Sequence, residues 1–258
     1  TVPRPSHSDY PAYVKYNGFN DIRGGGHFSG RLTAPLVFAG AVAKQILEQK
    51  GIRIAAHIKR IGSVCDSSFD FCDVSDELIA KLTDTNFSVI DNDAEAKMRD
   101  EIEKYRLDSD SVGGEIECVA TGLPVGVGGN MFDTVEGKLA SILFGVPAVK
   151  GVQFGLGFDF AKANGSSVND QYKINDGKVA LCTNNNGGVV GGMTNGAPVV
   201  VSVAIKPTPS IGKEQNSVNL QTMTEETLVI KGRHDPCIVP RAVPVIESAV
   251  ALGLLDLM

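Results

Sequence analysis

The sequence lacks the features that several functional classes require. Its 258 residues carry a formal net charge of -6, whereas surfaces that bind nucleic acid or anionic membranes need an excess of positive charge. No apolar run approaches the length of a membrane-spanning helix, and residues 1–10 have neither the charged start nor the apolar middle of a signal peptide. We therefore expect a cytoplasmic protein with no nucleic-acid partner and no membrane partner.

Cysteine and histidine are also scarce. The five cysteines include no CxxC pair, a pattern that suits reduced thiols better than a disulfide framework. The histidines are His7, His27, His57 and His234. Gly232 and Pro236 bracket the single His-Asp dipeptide, whereas metal-dependent phosphohydrolases carry such a pair on a helix with further histidines. We therefore expect no metal site.

The apolar residues that are present predict one large core and several strands. They make up 43% of the chain, enough for a single domain spanning residues 1–258. Alternating apolar and polar residues predict half-buried strands over 52–59 and 115–120, and a continuously apolar run predicts a strand over 198–205. His57 lies on the polar side of the first strand, where a non-catalytic role is the stronger interpretation.

Helical spacing of apolar residues predicts three helices. The first begins at a cap on Thr33 and ends at Gly51, the second covers 94–105 on the surface, and the last begins at Pro244. Because several strands follow one another without a helix between them, we expect an α+β fold with mixed or antiparallel sheets.

Charge is unevenly distributed along the chain. Residues 66–117 contain 16 acidic and 5 basic residues, and a solvated acidic face is the stronger interpretation of this region. Basic residues elsewhere lie in or beside segments rich in glycine and proline, which makes them candidates for anion binding. They are Arg23, Arg31, Lys206, Arg233 and Arg241.

The stretch DIRGGGHFSGRLTAP, residues 21–35, is the first of these segments. Gly24–Gly26 permit a ligand to approach the backbone closely, the following helix start offers free N–H groups, and arginine matches the geometry of phosphate or carboxylate. A tight turn with solvated arginines explains the same residues equally well. The stretch is neither a GxGxxG fingerprint nor a P-loop.

Three later segments also combine polar groups with an irregular backbone. In TNNNGGVVGGMTNG, residues 183–196, backbone amides could hold the polar edge of a cofactor, although an irregular turn is the simpler interpretation. In AIKPTPSI, Lys206 ends a strand beside two prolines, where it can hold a phosphate or be solvated. The GRHDPC corner suits anion recognition by Arg233 beside an imidazole or carboxylate that handles a proton.

Taken in order, these and other segments resemble the successive signature segments of the chorismate synthase family, from Arg4 to about Leu255. The segments are RPSHSDY, RGGGHFSGRLTAP, GEIECVATGLPVGVG, AVKGVQFGLGF, TNNNGGVVGGMTNG, KPTPSI and GRHDPCIVPRAVPVIESA. The resemblance implies an enzyme that uses reduced FMN to convert 5-enolpyruvylshikimate 3-phosphate to chorismate by a 1,4-elimination of phosphate. It also implies a β-α-β sandwich with sheets around helices, a homotetramer and an association with NADP.

The resemblance implies roles for individual residues as well. His7 resembles the histidine that protonates or stabilises the reduced flavin, and Asp235 resembles the carboxylate that assists proton relay near flavin N5. Arg31 and Arg233 resemble the arginines that bind substrate. The residues that the resemblance assigns to flavin binding are His27, Phe28, Ser29, Pro147, Ala148, Gly191, Lys206, Pro207, Thr208, Pro209, Ser210 and Arg233. Pro147 replaces the small polar residue that relatives often have.

The chain also departs from the family pattern. Relatives begin upstream with a segment that contains FGESHG and an arginine pair, and neither is present here. We therefore expect an N-terminally shortened chain, for which two alternatives to full turnover stay open: a catalytically incomplete FMN-binding protein and a scaffold that binds neither ligand. Whether the protein reduces its own flavin or depends on an external reductant also stays open.

Overall fold

A computed structural model describes residues 2–21, 23–232 and 234–258. Within these residues, five of the strands form the main sheet in the order β2-β1-β3-β9-β4, and the others form three two-stranded hairpins. Every pairing is antiparallel. The strands are β1 (Arg53–Ile61), β2 (Val64–Cys65), β3 (Gly114–Thr121), β4 (Val149–Phe154), β5 (Tyr172–Asn175), β6 (Lys178–Leu181), β7 (Val189–Val190), β8 (Met193–Thr194), β9 (Val199–Ile205), β10 (Gln215–Asn219) and β11 (Thr224–Leu228).

Helices cover both faces of the main sheet. On one face, α7 packs against β1, β3 and the two helices α2 and α5. On the other face, α3 packs against β1. The helices are α1 (Asp9–Lys15), α2 (Thr33–Glu48), α3 (Asp76–Thr83), α4 (Asn92–Leu107), α5 (Val135–Gly145), α6 (Gly165–Val168) and α7 (Val239–Leu257). No described helix is long and apolar enough to cross a membrane.

The register of the sheet explains why its central strands form. Cys118 of β3 pairs with Ala56 of β1 on one side and with Val201 of β9 on the other, and all three side chains belong to the main core. The β-branched residues of β9 suit such a strand because they pack well on a pleated surface. The predicted α+β fold with antiparallel sheets is confirmed.

The crossing of α2 and α7 depends on a glycine. A Cβ atom on Gly40 would overlap the Cα and Cβ atoms of Ser248, so that only glycine allows the two helices to lie this close. On the opposite side of α2, the apolar side chains of Phe38, Val42 and Ile46 are exposed.

Three details of the predicted elements are wrong. The two strands predicted to be half-buried are buried on both faces, β1 between Ile54 and Ile58 and β3 between Ile116 and Ala120. On β1, α3 and the residues before it cover the polar side. Thr33 is the first residue of α2 rather than its cap, and its hydroxyl donates to the Gly30 carbonyl. The last helix begins at Val239 and contains Pro244, whose carbonyl accepts a bond from the Ser248 hydroxyl.

Candidate functional site

The N-terminal segment folds around one carboxylate. Asp9 Oδ2 accepts hydrogen bonds from the backbone N and the Nε of Arg4 at 3.0 and 2.7 Å, and Asp9 Oδ1 accepts one from Arg4 Nη2 at 2.8 Å. His7 Nδ1 lies 2.7 Å from the same Oδ1. Ser6 adopts the left-handed conformation, with φ of 56°. This turn brings a guanidinium, an imidazole and a carboxylate together within six residues.

Arg4 contacts Asp9, the Gly24 carbonyl and His7 through one nitrogen. Arg4 Nη2 has two N–H groups, and they donate to Asp9 Oδ1 and to the Gly24 carbonyl, each at 2.8 Å. Arg4 Nη2 also makes a hydrogen bond to His7 Nδ1 at 3.2 Å, in which the guanidinium donates. The Nε2 atom, which has no hydrogen-bond partner within the described residues, is left to take up or release a proton.

The pKa values of this group follow from its charges. Burial raises the pKa of Asp9, but hydrogen bonds from Arg4 and the nearby positive charges outweigh it and lower the pKa to about 2. The pKa of His7 is lowered by burial first and then by the charges of Arg4 and Lys206, while Asp9 offsets part of the effect. The imidazole is therefore neutral at pH 7, beside two cations.

Lys206 joins the N-terminal segment to two other segments that were predicted to bind flavin. Its Nζ donates to the Ser6 carbonyl at 2.7 Å, and its backbone N donates to the Ala148 carbonyl at 2.9 Å. Ala148 has a φ of 74°, an uncommon conformation for a residue with a side chain. Pro147, beside it, is exposed. His7, Ala148 and Lys206 thus lie within one connected set of contacts.

The segment from Lys206 to Ser210 leads on to the Asp235 corner through residues 111–113. The Thr208 carbonyl accepts from Ser111 Oγ at 2.7 Å, and the Val112 N–H donates to the Pro236 carbonyl at 2.8 Å. Thr208 Oγ1 is buried and has no hydrogen-bond partner within the described part of the chain. Pro207, Pro209 and Ser210 complete this segment, with Pro207 the most exposed of the three.

The Asp235 corner is only partly described, because Arg233 lies outside the described residues. Asp235 Oδ2 accepts from Arg241 Nη1 at 2.9 Å, in a pair whose side chains are 41% and 73% exposed. His234 Nε2 lies 3.0 Å from the Ile230 carbonyl oxygen. Asp235 is therefore an accessible carboxylate that already has a cationic partner.

The glycine-rich segment meets the site through the Arg4 bond to Gly24. His27 and Phe28 lie in the short 3-10 helix Gly26–Phe28, and both are exposed. The Ser29 hydroxyl accepts from the Arg31 N–H at 3.2 Å. The exposed side chain of Arg31 makes no hydrogen bond or ion pair to any described residue, so its donors are available to an anion.

Gly191 lies apart from the other predicted residues. It follows β7, beside the N-terminal end of β9, whereas Lys206 follows the C-terminal end of β9. A strand of this length spans about 20 Å. Gly191 has a φ of 62° and open space where a Cβ atom would be. Within this chain, the structure does not bring it next to His7 or Lys206.

Backbone N–H groups of the asparagine-rich loop already donate hydrogen bonds to other residues of the chain. Asp170 accepts from the backbone N–H groups of Asn185 and Asn186 at 2.7 and 2.9 Å, and Asn184 Oδ1 accepts from the Gly188 N–H at 2.6 Å. These amides are therefore not free to hold a cofactor edge, and the irregular turn is the better interpretation of residues 183–188.

Sequence reasoning missed the residues that hold the site together. Arg4 and Asp9 lie inside the RPSHSDY segment, and a cation and an acid within three residues of His7 were the available signal. Ser111 had no signal, because its contact with Thr208 joins residues that are 97 positions apart. A cavity of about 380 Å³ lies elsewhere, between Leu82 and the first turns of α7, and among the described residues that line it is Arg241 but no predicted flavin ligand.

Comparison with known proteins identifies the family. The sequence model described as "Chorismate synthase" matches residues 1–258. The chain belongs to the chorismate synthase family. Curated relatives with the name chorismate synthase include one from Pyrococcus abyssi, 52% identical over 254 residues, which are 98% of this chain and 69% of the relative. Another, from Thermococcus gammatolerans, is 52% identical over 255 residues, which are 99% of this chain and 70% of the relative.

A solved structure supports the same assignment. "Crystal Structure of Chorismate Synthase" matches with a TM-score of 0.79 and 29% sequence identity, over 96% of this chain and 69% of that chain. The resemblance to chorismate synthase in the sequence segments is thus confirmed, and so is the fold class. Chorismate synthases are lyases of the shikimate pathway. The prediction of a lyase is therefore confirmed.

Proposed function

We propose that this protein catalyses the 1,4-elimination of phosphate from 5-enolpyruvylshikimate 3-phosphate to give chorismate, with reduced FMN as cofactor. In this reaction the bond from carbon to phosphate oxygen breaks, its electron pair leaves with phosphate, C6 loses a proton and a second ring double bond forms. The substrate is neither oxidised nor reduced overall. The observation that carries the proposal is the contact of the His7 segment with Lys206 and, through Lys206, with Ala148, in a member of the chorismate synthase family.

The residues present fit a reduced flavin. When bound, reduced FMN supplies transient electron density and the atom, N5, that accepts the C6 proton. Thr208 Oγ1 is a buried hydroxyl without a partner among the described residues, which is the state expected of a side chain that binds a ligand. Lys206 would provide positive charge to the same ligand, and Thr208, Pro209 and Ser210 would line it together with Ala148 and Pro147.

His7 is suited to hold a proton beside an anionic ring. Its Nδ1 is in contact with Arg4 and Asp9, so that Nε2 is the nitrogen left to exchange a proton with a ligand. Burial and two neighbouring cations keep the free imidazole neutral. A negative charge close to Nε2 favours the protonated imidazole, because an opposite charge stabilises the charged form. His7 would therefore hold a proton on Nε2 beside an anionic flavin.

Departure of phosphate requires cations that hold the developing charge. Arg31 has an exposed guanidinium with no internal partner among the described residues, and we assign phosphate or carboxylate recognition to it and to Arg233. Asp235 is proposed to assist proton relay. Its carboxylate is 41% exposed and accepts a hydrogen bond from Arg241. His27, Phe28, Ser29 and Gly191 are proposed as further flavin contacts.

The assembly and location remain proposals as well. We propose a homotetramer, and the exposed apolar side chains of Phe38, Val42 and Ile46 on α2 support an additional contact surface. We also propose a single domain, supported by one apolar cluster that joins α2, α5, α7 and the main sheet. A cytoplasmic location and an association with NADP are proposed from the family alone.

An anaerobic assay tests this function. The purified protein is mixed with reduced FMN and 5-enolpyruvylshikimate 3-phosphate, and chorismate absorbance and the flavin spectrum are followed together. We expect chorismate to form without net flavin oxidation. A change in the flavin spectrum without chorismate would instead support a flavin-binding protein that lacks turnover, and no change in either signal would contradict both functions.

A pair of lysine variants makes the assay specific for the site. Lys206→Met should weaken binding of reduced FMN by more than tenfold, because it removes a charge-assisted contact worth about 1.5–3 kcal/mol. Lys150→Met is the matched control, because Lys150 is exposed on β4, two residues after Ala148. Equal effects of the two variants would show that Lys206 is not a flavin ligand.

A further inference from the structure

We propose that Cys72 and Cys182 form a redox-reactive pair, which a low-molecular-weight disulfide converts into an intramolecular disulfide bond. Neither residue belongs to the set proposed for flavin or substrate, so the inference is independent of the proposed reaction. It assigns a covalent modification to the surface where the loop before α3 meets the end of the β5–β6 hairpin.

Exposure divides the five cysteines into two groups. Cys65, Cys72 and Cys182 are exposed, whereas Cys118 and Cys237 are buried. Burial raises the pKa of the Cys118 thiol well above its usual value and that of the Cys237 thiol to about 11. Because the thiolate is the form that attacks a disulfide, the two buried cysteines are protected at neutral pH. A reagent in solution therefore reaches three thiols.

The fold places two of the three exposed thiols together. Cys72 Sγ donates a hydrogen bond to the Cys182 carbonyl at 3.9 Å, although the two residues are 110 positions apart in the chain. A disulfide requires Cα atoms about 4.4–6.8 Å apart, and a sulfur atom in contact with the main chain of its partner is compatible with that range. Both side chains are exposed, so they can rotate between staggered rotamers toward each other.

A buried asparagine holds the two segments in place. Asn184, two residues after Cys182, is 2% exposed, and its Nδ2 donates to the Phe71 carbonyl at 2.7 Å. Phe71 directly precedes Cys72. The Cys182 N–H donates to the Gln171 carbonyl at 2.8 Å, which ties it to the start of the hairpin. The two thiols therefore stand on backbone that is fixed by hydrogen bonds, and such positioning accelerates an intramolecular step.

Disulfide exchange forms the bond in two balanced steps. The thiolate of one cysteine attacks a sulfur of the external disulfide, which gives a mixed disulfide and releases one external thiol. The thiolate of the other cysteine then attacks the protein sulfur of the mixed disulfide, forms the bond between Cys72 and Cys182 and releases the second external thiol. Overall, the two protein thiols lose two electrons and two protons, and the external disulfide takes them up as two thiols.

Cys72 is suited to the second of these steps. Burial first and then the charges of Asp70 and Asp170 raise the pKa of its thiol, which slows its reaction with a reagent in solution. Once Cys182 carries the mixed disulfide, the attack by Cys72 is intramolecular, and proximity offsets the smaller fraction of thiolate.

The measurement is peptide mapping of the native protein after treatment with oxidised glutathione. Remaining thiols are blocked with N-ethylmaleimide, the protein is digested without reductant, and linked peptides are identified by mass spectrometry. We expect the peptide with Cys72 joined to the peptide with Cys182, and both peptides free again after dithiothreitol. Separate glutathione adducts on the two cysteines with no bond between them, or no reaction at either, would overturn the inference.

The unfolded protein is the control for the effect of the fold. In a flexible chain, the probability of closing a loop falls with about the 3/2 power of its length. Cys65 and Cys72, 7 positions apart, should therefore pair about 60-fold more often than Cys72 and Cys182, 110 positions apart. We expect this preference in urea and the opposite preference in the native protein. The same preference in both states would show that the fold does not bring Cys72 and Cys182 together.

Two serine variants complete the test. Cys72→Ser should leave Cys182 as a mixed disulfide with glutathione, because the second attacking thiol is missing. Cys65→Ser is the matched control, because it also removes one exposed thiol but should leave the yield of the linked peptides unchanged. Loss of the linked peptides in Cys65→Ser, or a bond from Cys182 to another cysteine in Cys72→Ser, would refute the pairing.

Discussion

Replacing His57 with glutamine should destabilise the protein strongly, because His57 neutralises two buried carboxylates. Its side chain is fully buried, with Nδ1 2.9 Å from Asp66 Oδ2 and Nε2 3.1 Å from Glu117 Oε2. The edge of the imidazole also packs on Phe69, with 4.8 Å between ring centroids. Glutamine has one amide group and no charge. It can donate a hydrogen bond to one of the carboxylates, but it leaves the negative charge of both uncompensated.

The two carboxylates keep different numbers of hydrogen-bond donors after His57 is replaced. Asp66 also accepts from the backbone N–H groups of Ser67, Ile90 and Asp91, whereas the second bond to Glu117 comes from the Phe69 N–H alone. Breaking a buried ion pair by removing one partner costs about 3–5 kcal/mol. Because Asp66 keeps its other donors, we expect His57→Gln to cost about 3 kcal/mol, which lowers Tm by roughly 6–12 °C in a chain of this size.

The loss of unfolding free energy in His57→Gln should also depend on pH. Burial lowers the pKa of His57, but bonds to Asp66 and Glu117 outweigh it, and the pKa is raised. A histidine whose pKa is raised on folding contributes its full stability below the pKa of the unfolded chain, about 6.5, and loses it as pH rises through the folded pKa. The difference in unfolding free energy between the two proteins should therefore be larger at pH 6 than at pH 9.

Urea unfolding at these two pH values measures the effect, with circular dichroism as the signal. Arg60→Gln is the matched control, because Arg60 lies on the same strand but is half exposed, with its carboxylate partner 3.8 Å away. Its loss should cost less than about 1 kcal/mol. The reasoning fails if His57→Gln costs no more than this control, or if its cost grows from pH 6 to pH 9.

Two further predictions concern packing and a loop. Gly40→Ala should lower the unfolding free energy by about 1–3 kcal/mol, because the new methyl group overlaps Ser248 and forces α2 and α7 apart; a change of less than 0.5 kcal/mol in urea unfolding would mean that the helices separate freely. Asp170→Asn should loosen residues 183–188, because one amide oxygen replaces a carboxylate that accepts four bonds from this loop; amide hydrogen exchange should rise at Asn185 and Asn186 and stay constant in β9.

The sequence predicted the elements whose own residues determine them. β9 is continuously apolar and β-branched, and its predicted and observed bounds agree within one residue. The helix predicted over 94–105 is present as α4, whose early acids and late bases favour its ends. The start of α7 was wrong by five residues, because Pro240 occupies the first turn, where proline is tolerated, and the helix continues through Pro244.

The sequence could not predict what depends on contacts between distant segments. The polar side of β1 was expected to face solvent, because a buried polar residue and an exposed one have the same alternation. His57 is buried there only because Asp66 and Glu117, 9 and 60 positions away, supply its partners. The Lys206 contact with Ser6 spans 200 positions, and no local sequence pattern predicts it. The resemblance named the segments of the site, but their contacts required the structure.

The two histidines that contact carboxylates illustrate how surroundings separate chemistry from stability. His57 has both ring nitrogens engaged by carboxylates and no exposure, and its pKa is raised. A protonated imidazole of this kind neither reaches a ligand nor releases its proton easily. His7 has one nitrogen engaged, cations beside it and a lowered pKa. Its second nitrogen can accept a proton when an anion approaches, so that only His7 combines access with a proton affinity that a ligand can change.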